Sequence, residues 1–224
     1  MKNTKVTALV PMKGNNERVP NKNIRPLNGK PVCHWILEAL SKSKYVDEVI
    51  INTDSQKIKE IVSGFDFVKV IDRPDYLLGD AVSIQPLIAH DIEHAKNEII
   101  FQTHSTNPLL KPKTIDKGIE TYFDNLDHHD ALFSVTPYQQ RFYFKNGKPV
   151  SHDPNFLIQT QLLEPIYHEN SCMYIFSKET NRIVKNRLGK NPFFFKMDHL
   201  EAVDIDEWHD FLWTEFLMKQ KKNK

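Results

Sequence analysis

The chain has 224 residues, of which 40% are hydrophobic and 26% charged, with seven glycines, two cysteines and a formal charge of +1. That balance suits one globular domain with a sizeable core and excludes a disordered chain or a disulfide-stapled miniprotein. Thirty basic residues against twenty-nine acidic ones leave no protein-wide field to gather nucleic acid or an anionic membrane, so neither is an expected partner and any anion site must be local.

Residues 6–11, VTALVP, form an apolar run without alternation, which predicts a strand buried on both faces and therefore a parallel sheet. The run is too short for a secretory leader, and no stretch reaches the ~18 apolar residues of a membrane span; a cytoplasmic protein is expected. VCHWILEAL then sets Val32, Trp35, Ile36 and Leu40 at helical spacing, with Pro31 tolerated in the first turn because its missing N–H has no partner to lose there. Strands are predicted at EVIINTD, VKVID, EIIFQT and ALFSV, and helices over residues 55–62, 82–95 and 113–123, with a Pro- and Asp-containing loop at 73–80. Strands alternating with helices at this spacing predict an α/β domain with right-handed crossovers.

Residues 136–169 break that rhythm, with aromatic residues, a KNGK turn signal and no helical period; they read as an excursion inserted in a single domain spanning 1–224. SCMYIFS, FFFKMD and AVDI are predicted strands. A final helix carries Trp208, Phe211, Leu212 and Phe216, read as a core stripe like Phe193 to Phe195, before a solvated KQKKNK tail. Cys33 and Cys172 lie in apolar stretches with no CxxC spacing and are expected to be buried and reduced.

The even charge hides a separation. The first thirty residues hold seven Lys or Arg and one acid, whereas residues 198–210 hold six acids and no Lys or Arg. In an open α/β sheet the loop after the first strand is the usual phosphate contact, and here it is MKGNNERVPNKN. With a single glycine, Gly14, it is neither a dinucleotide fingerprint nor a P-loop. Lys13 and Lys22 can instead bracket a polyphosphate as point charges, with Asn15, Asn16 and Asn23 as polar partners; the alternative is a solvated basic loop. At the acidic end, Asp204 and Asp206 stand two apart in a predicted strand, so both can face one hard cation such as Mg²⁺; alternatively Asp206 only caps the last helix. His90 and His94 are four apart on a predicted helix, but no third zinc ligand is evident and they read as surface residues.

Taken together, ALVPMKGNNERVPNKNIRPLNGKP, DEVIINTDS, DRPDYLLGDAVS, FQTHSTNPLL, ENSCMYIFS and DIDEWHDF resemble, in matching order, the CMP-sugar synthetases typified by the acylneuraminate cytidylyltransferases. The resemblance implies a Rossmann-like three-layer nucleotidyltransferase with a mostly parallel mixed sheet, in which residues 136–169 form a small dimerisation and substrate subdomain of a homodimer. It also implies that a sugar-acid hydroxyl attacks the α-phosphate of CTP, giving a CMP-sugar and pyrophosphate for lipopolysaccharide or capsule synthesis, with Mg²⁺ as cofactor. On this pattern Lys13 and Lys22 contact the triphosphate and, with Asp206, are the catalytic set. Met12, Asn16, Asn23, Arg73, Ser83 and Gln102 complete the nucleotide site. Gln102, Arg141 and Asn170 face the sugar, and Asp204 and Asp206 hold the metal. The chain departs from the family at Lys13 and Leu110, both arginine positions there, and Thr160, Gln161 and His168 stand roughly where the family carries sugar-reading arginines. Two alternatives remain at this level: a glycosyltransferase that consumes a nucleotide sugar, and a CTP-binding protein with a non-sugar acid acceptor or no catalysis.

Overall fold

The computed structural model describes residues 4–79 and 81–222. The apolar run after residue 5 forms β1 (Val6–Leu9), every residue of which is buried. A long basic loop with a single-turn helix at Lys22–Ile24 leads into a small hairpin of β2 (Pro26–Leu27) and β3 (Lys30–Pro31), and then into α1 (Val32–Ser41). Pro31 is the residue just before the first helical turn, where its fixed φ suits the entry. β4 (Val46–Thr53) and α2 (Gln56–Val62) follow, the latter capped by the Ser55 side chain accepting from the Ile58 N–H. Next come β5 (Val68–Asp72), α3 (Ile84–Asp91), β6 (Ile99–Gln102), α4 (Pro112–Asp124) and β7 (Ala131–Tyr138). β8 (Ile166–Ser177), α5 (Lys178–Val184), β9 (Pro192–Lys196) and α6 (Trp208–Lys222) complete the chain.

The seven-stranded sheet has the order β5-β4-β1-β6-β8-β7-β9. Pairing is parallel except where β8 meets β6 and β7, which is the mostly parallel mixed sheet expected. Apolar clusters on both faces bury it: Val6, Ala8, Cys33, Ile36, Leu37, Ile51, Ile115 and Ile175 on one side, Leu9, Ile50, Ile88, Ile100 and Phe176 on the other. β1 lies between β4 and β6, so the chain winds outward from it in both directions, and the crevice beyond the carboxyl ends of β1 and β6 is where such sheets take ligands.

Three sequence expectations change. AVDI is not a strand: residues 202–207 have no regular structure and are pinned by the Ile205 N–H donating to the Thr106 carbonyl (2.9 Å). The excursion is shorter than 136–169, because β7 runs on to Tyr138 and β8 begins at Ile166, pairing Tyr138 with Ile166. The final helix buries Phe211 of its predicted stripe and turns the other three residues outward. Phe211 and Met218 are buried while Trp208, Leu212 and Phe216 are 45%, 61% and 50% exposed, since a helical period defines a face without saying which face turns inward. Cys33 and Cys172 are buried free thiols, and burial pushes Cys33 up to about 12. Part of the KQKKNK tail, residues 223–224, lies outside the described residues, as does Asp80 of the DAVS stretch.

Candidate active site

The crevice is built on the loop after β1. Its first residues extend the sheet, with the Val10 and Met12 N–H groups donating to the Ile50 and Asn52 carbonyls. Met12 itself is buried in the core beneath. At Gly14 the loop crosses the β4–α2 connection: its N–H donates to Asp54 Oδ1 (2.7 Å), and a Cβ there would stand 2.8 Å from the Ser55 Cβ, so only glycine fits without displacing one strand of chain from the other. Asn23 closes the loop from within. Its Nδ2 donates to the Lys13 carbonyl (2.8 Å) and its Oδ1 accepts from Ser105 Oγ (2.6 Å), so this nearly buried amide sets the Lys13 backbone against the segment after β6.

Across the crevice, Lys22 Nζ donates to the Ile205 carbonyl (2.5 Å) and lies 3.2 Å from Asp206 Oδ1. The basic loop and the acidic segment, far apart in sequence, are therefore joined by the lysine singled out above. Arg18, which the charge pattern did not distinguish from its neighbours, also reaches Asp206 Oδ1 (2.8 Å) and approaches Glu207 (3.4 Å). Capping of the last helix falls to Asp210, whose Oδ2 accepts the Asp206 and Glu207 N–H groups. The Asp206 carboxylate is thus left for the cations and the cleft.

Asp204 is more deeply placed. Burial first, and then the nearby Asp206 charge, raise its pKa to about 6 against the pull of a Thr106 hydrogen bond, and its Oδ1 is buried with no partner. An orphaned carboxylate oxygen beside a second carboxylate is a donor set that fits a hard divalent cation. Among the described residues no group of three or more His, Cys, Asp or Glu could hold a metal alone, so any ion here would need further oxygens from phosphate and water.

These groups line a cavity of about 300 Å³ bordered by Pro11, Met12, Lys13, Asn16, Lys22, Asn23, Ile84, His104, Ser105, Thr106, Ser171, Arg187, Asp204 and Asp206. A second cavity of about 270 Å³ shares Pro11, Lys13, Ile84 and His104 with it and adds Arg73, Leu77, Gly79, Val82 and Leu87. Arg73 is held edge-on by Asn52, through Nε to Oδ1 (2.8 Å) and Nη2 to the carbonyl (3.0 Å), and Asn52 in turn donates to buried Asp91 (2.6 Å). Ser83 is exposed at the start of α3 with no side-chain capping bond. Asn16 Oδ1 is buried without a partner in the cleft wall.

The predicted sugar-side residues are placed differently. Gln102 is fully buried, donating to the Thr103 carbonyl and accepting from Arg187 Nη1 (2.8 Å). Asn170 is also buried and spends its amide on Ser134, Thr136 and the Cys172 N–H, pinning the irregular stretch of β8. There, two steps along β7 answer five along β8, and Ser171 adopts a left-handed φ of 59°; it is Ser171 rather than Asn170 that borders the cleft. Arg141 donates to the Ile158 carbonyl inside the excursion and does not line either cavity. Leu110 is core, 3% exposed. His104, missed by the motif reading, is partly buried; burial and then the Arg187 charge lower its pKa to about 4, so the ring is neutral in the wall shared by both cavities.

The profile of the cytidylyltransferase family matches residues 7–222. Post-translational flagellin modification protein B of Campylobacter coli is 26% identical, with 93% of each chain covered. Pseudaminic acid cytidylyltransferase of Campylobacter jejuni is 26% identical over 94% of this chain and 95% of its own. The N-acylneuraminate cytidylyltransferase of Streptococcus agalactiae serotype V is 24% identical over 98% of this chain but 56% of its own, so the chain spans little more than half of that relative. In fold, the chain superposes on CMP:2-keto-3-deoxy-manno-octonic acid synthetase complexed with CTP with a TM-score of 0.73 at 14% identity, covering 98% of this chain and all of that one.

Proposed function

The chain belongs to the cytidylyltransferase family, and from that premise we propose that it transfers CMP from CTP to an acidic sugar of the sialic, pseudaminic or related ulosonic type, releasing pyrophosphate. The observation that carries this reading is the meeting of Lys13, Lys22, Asp204 and Asp206 in one cavity at the carboxyl ends of β1 and β6. The names of the relatives, an N-acylneuraminate and a pseudaminic acid cytidylyltransferase among them, support the acceptor class.

In this proposal the cavity around Arg73 receives the nucleoside and the cavity around Lys22 receives the triphosphate and the acceptor. The acceptor hydroxyl oxygen bonds to the α-phosphorus as the bond to the β-phosphate oxygen breaks; pyrophosphate leaves with its electron pair, and the hydroxyl proton goes to solvent. Such chemistry rests on positioning and charge neutralisation. Lys13 and Lys22 hold the phosphate oxygens, Asn23 fixes the Lys13 backbone, and Asn16 offers its unpartnered carbonyl oxygen to the ligand. Asp204 and Asp206 would hold Mg²⁺, which when bound supplies charge neutralisation at the phosphates. Arg18 and Lys22, which both contact Asp206, would be the cations nearest to phosphates bound beside that carboxylate.

The excursion, with Phe144, Phe156, Leu157 and Leu162 each more than half exposed, is the face through which a homodimer forms in this reading, and a CTP-consuming step places the protein in the cytoplasm. The proposal is tested by pyrophosphate release from CTP and Mg²⁺ with N-acetylneuraminic, pseudaminic and 2-keto-3-deoxy-manno-octonic acids. A CMP-linked product from one of them is expected; no turnover with any of the three, despite tight CTP binding, defeats it.

A further inference from the structure

Arg187 lies on the segment between α5 and β9, where neither a motif nor a charge run drew attention to it. Its guanidinium is held in a fixed pose: Nη1 donates to Gln102 Oε1 (2.8 Å), Nη2 donates to the Tyr174 hydroxyl (2.7 Å), and the plane rests over the Tyr174 ring 3.5 Å from its centroid. The side chain is 15% exposed, and its one carboxylate neighbour among the described residues, Glu169, stands 3.5 Å away and is 40% exposed. Glu169 is moreover occupied by the Tyr174 hydroxyl, which donates to it at 2.5 Å. A largely desolvated cation held by two neutral groups and one long, partly exposed ion pair is an arrangement that a bound anion would complete.

Its surroundings say which anion. Within the cavity, Lys22 faces Asp206, at the phosphate and metal end. Arg187 borders the same cavity alongside His104, Ser105 and Ser171, two hydroxyls and a ring that carries no charge at neutral pH. No Asp or Glu competes on that wall among the described lining residues other than the Asp204 and Asp206 pair. The bonds to Gln102 and Tyr174 leave N–H groups of the fork unspent, and a planar fork with paired donors matches a carboxylate.

Resting on the acceptor class proposed above, we infer that Arg187 is the specificity residue that binds the carboxylate of the acceptor acid, with Gln102 and Tyr174 as the residues that aim it. This gives fully buried Gln102 an indirect role and leaves Arg141 outside the site of its own chain.

The test uses the full chain with Arg187→Gln and Arg187→Lys, assayed by pyrophosphate release at saturating CTP and Mg²⁺ with the three acids named above and with the carboxamide of whichever acid the wild type turns over best. Losing a charge-assisted pair should raise the acid's KM about 10- to 100-fold in Arg187→Gln. The KM for CTP should stay within about twofold and Arg187→Lys should fall between. The ratio of acid to carboxamide turnover, high in the wild type, should collapse in Arg187→Gln, which a merely structural role would not produce. An unchanged acid KM, an unchanged acid-to-carboxamide ratio, or a matching rise in the KM for CTP overturns the inference while leaving the proposed function standing. If Arg187→Gln does not fold, the acid-to-carboxamide ratio of Arg187→Lys decides in the same way. A wild type that turns over none of the acids overturns the proposed function and this inference with it.

Discussion

Arg18 Nη2 sits 2.8 Å from Asp206 Oδ1, and on the same oxygen Lys22 closes at 3.2 Å, so one carboxylate of the acidic segment is shared by two cations of the loop after β1. Both Arg18 and Asp206 are about half exposed, at 57% and 47%, which keeps the pair weak, on the order of 0.2–1 kcal/mol. Its consequence, under the proposed function, lies in competition: a metal ion drawn to the Asp206 carboxylate would compete with Arg18 for it. Arg18→Gln is therefore expected to lower the Mg²⁺ concentration for half-maximal activity by about two- to fourfold, read from Mg²⁺ titrations at saturating CTP. A higher Mg²⁺ requirement would mean that Arg18 serves only the bound nucleotide.

Asp204 makes the opposite kind of prediction, in which stability and activity part company. Its folded pKa is raised to about 6 from 3.8, so the fold disfavours the ionised form, and at neutral pH the ionised carboxylate costs about 2–3 kcal/mol. That cost is relieved as pH falls through the folded value. Asp204→Asn should thus be more stable than the wild type at pH 7 in metal-free buffer, seen as a higher denaturation midpoint, while cytidylyl transfer drops by at least about 100-fold. A variant both less stable and still active would remove Asp204 from the proposed metal pair.

How much of this was legible beforehand differs by residue. The buried run at 6–9 led directly to a central parallel strand, and the basic and acidic ends proved to touch through Lys22 and Asp206. Residues 204 and 206 converge because Thr106 and Lys22 hold the chain at Ile205 from two sides, not because they alternate on a strand as the sequence pattern predicts. Arg18, His104 and Arg187 gave no local signal. Arg187 acquires its place through Gln102, 85 residues away in the chain, and no window of neighbouring residues contains such a pairing. The excursion is shorter than the sequence predicts because Thr136 and Pro137 interrupt the apolar pattern while their backbone stays in the ladder opposite His168 and Tyr167.

His104 supplies a pH test that can be isolated by subtraction. Its ring is lowered from 6.5 to about 4 by burial and by Arg187, so the unfolded chain takes up a proton below about pH 6.5 that the folded chain refuses until about pH 4. Its contribution is present above the unfolded value and is lost as pH falls through that window, by about 3 kcal/mol in all. Asp204 acts in the reverse sense over an overlapping range, but it is common to both proteins when wild type is compared with His104→Asn. Denaturant midpoints in metal-free buffer should therefore shift in favour of the variant by about 3 kcal/mol between about pH 7 and pH 4. Parallel acid profiles would show that the ring is charged or solvated in the native protein.

At Gly14 the loop after β1 packs tightly against the β4–α2 connection. A methyl group there would stand 2.8 Å from the Ser55 Cβ and 3.3 Å from its Oγ, and neither neighbour can move freely, since Ser55 caps α2 and Asp54 accepts the Gly14 N–H. Overpacking of this kind costs about 1–3 kcal/mol. Because the loop is the less constrained partner, the displacement should fall on Lys13 rather than on β4. Gly14→Ala is expected to raise the KM for CTP about 5- to 100-fold while the acceptor KM moves little, Arg187 being set by Gln102 and Tyr174 on the other wall. Ser55→Gly in the same chain opens the space and should recover much of the CTP affinity, at a cost in α2 capping of a few tenths of a kcal/mol. Failure of that second substitution to restore CTP affinity would place the effect of Gly14 elsewhere than in its contact with Ser55.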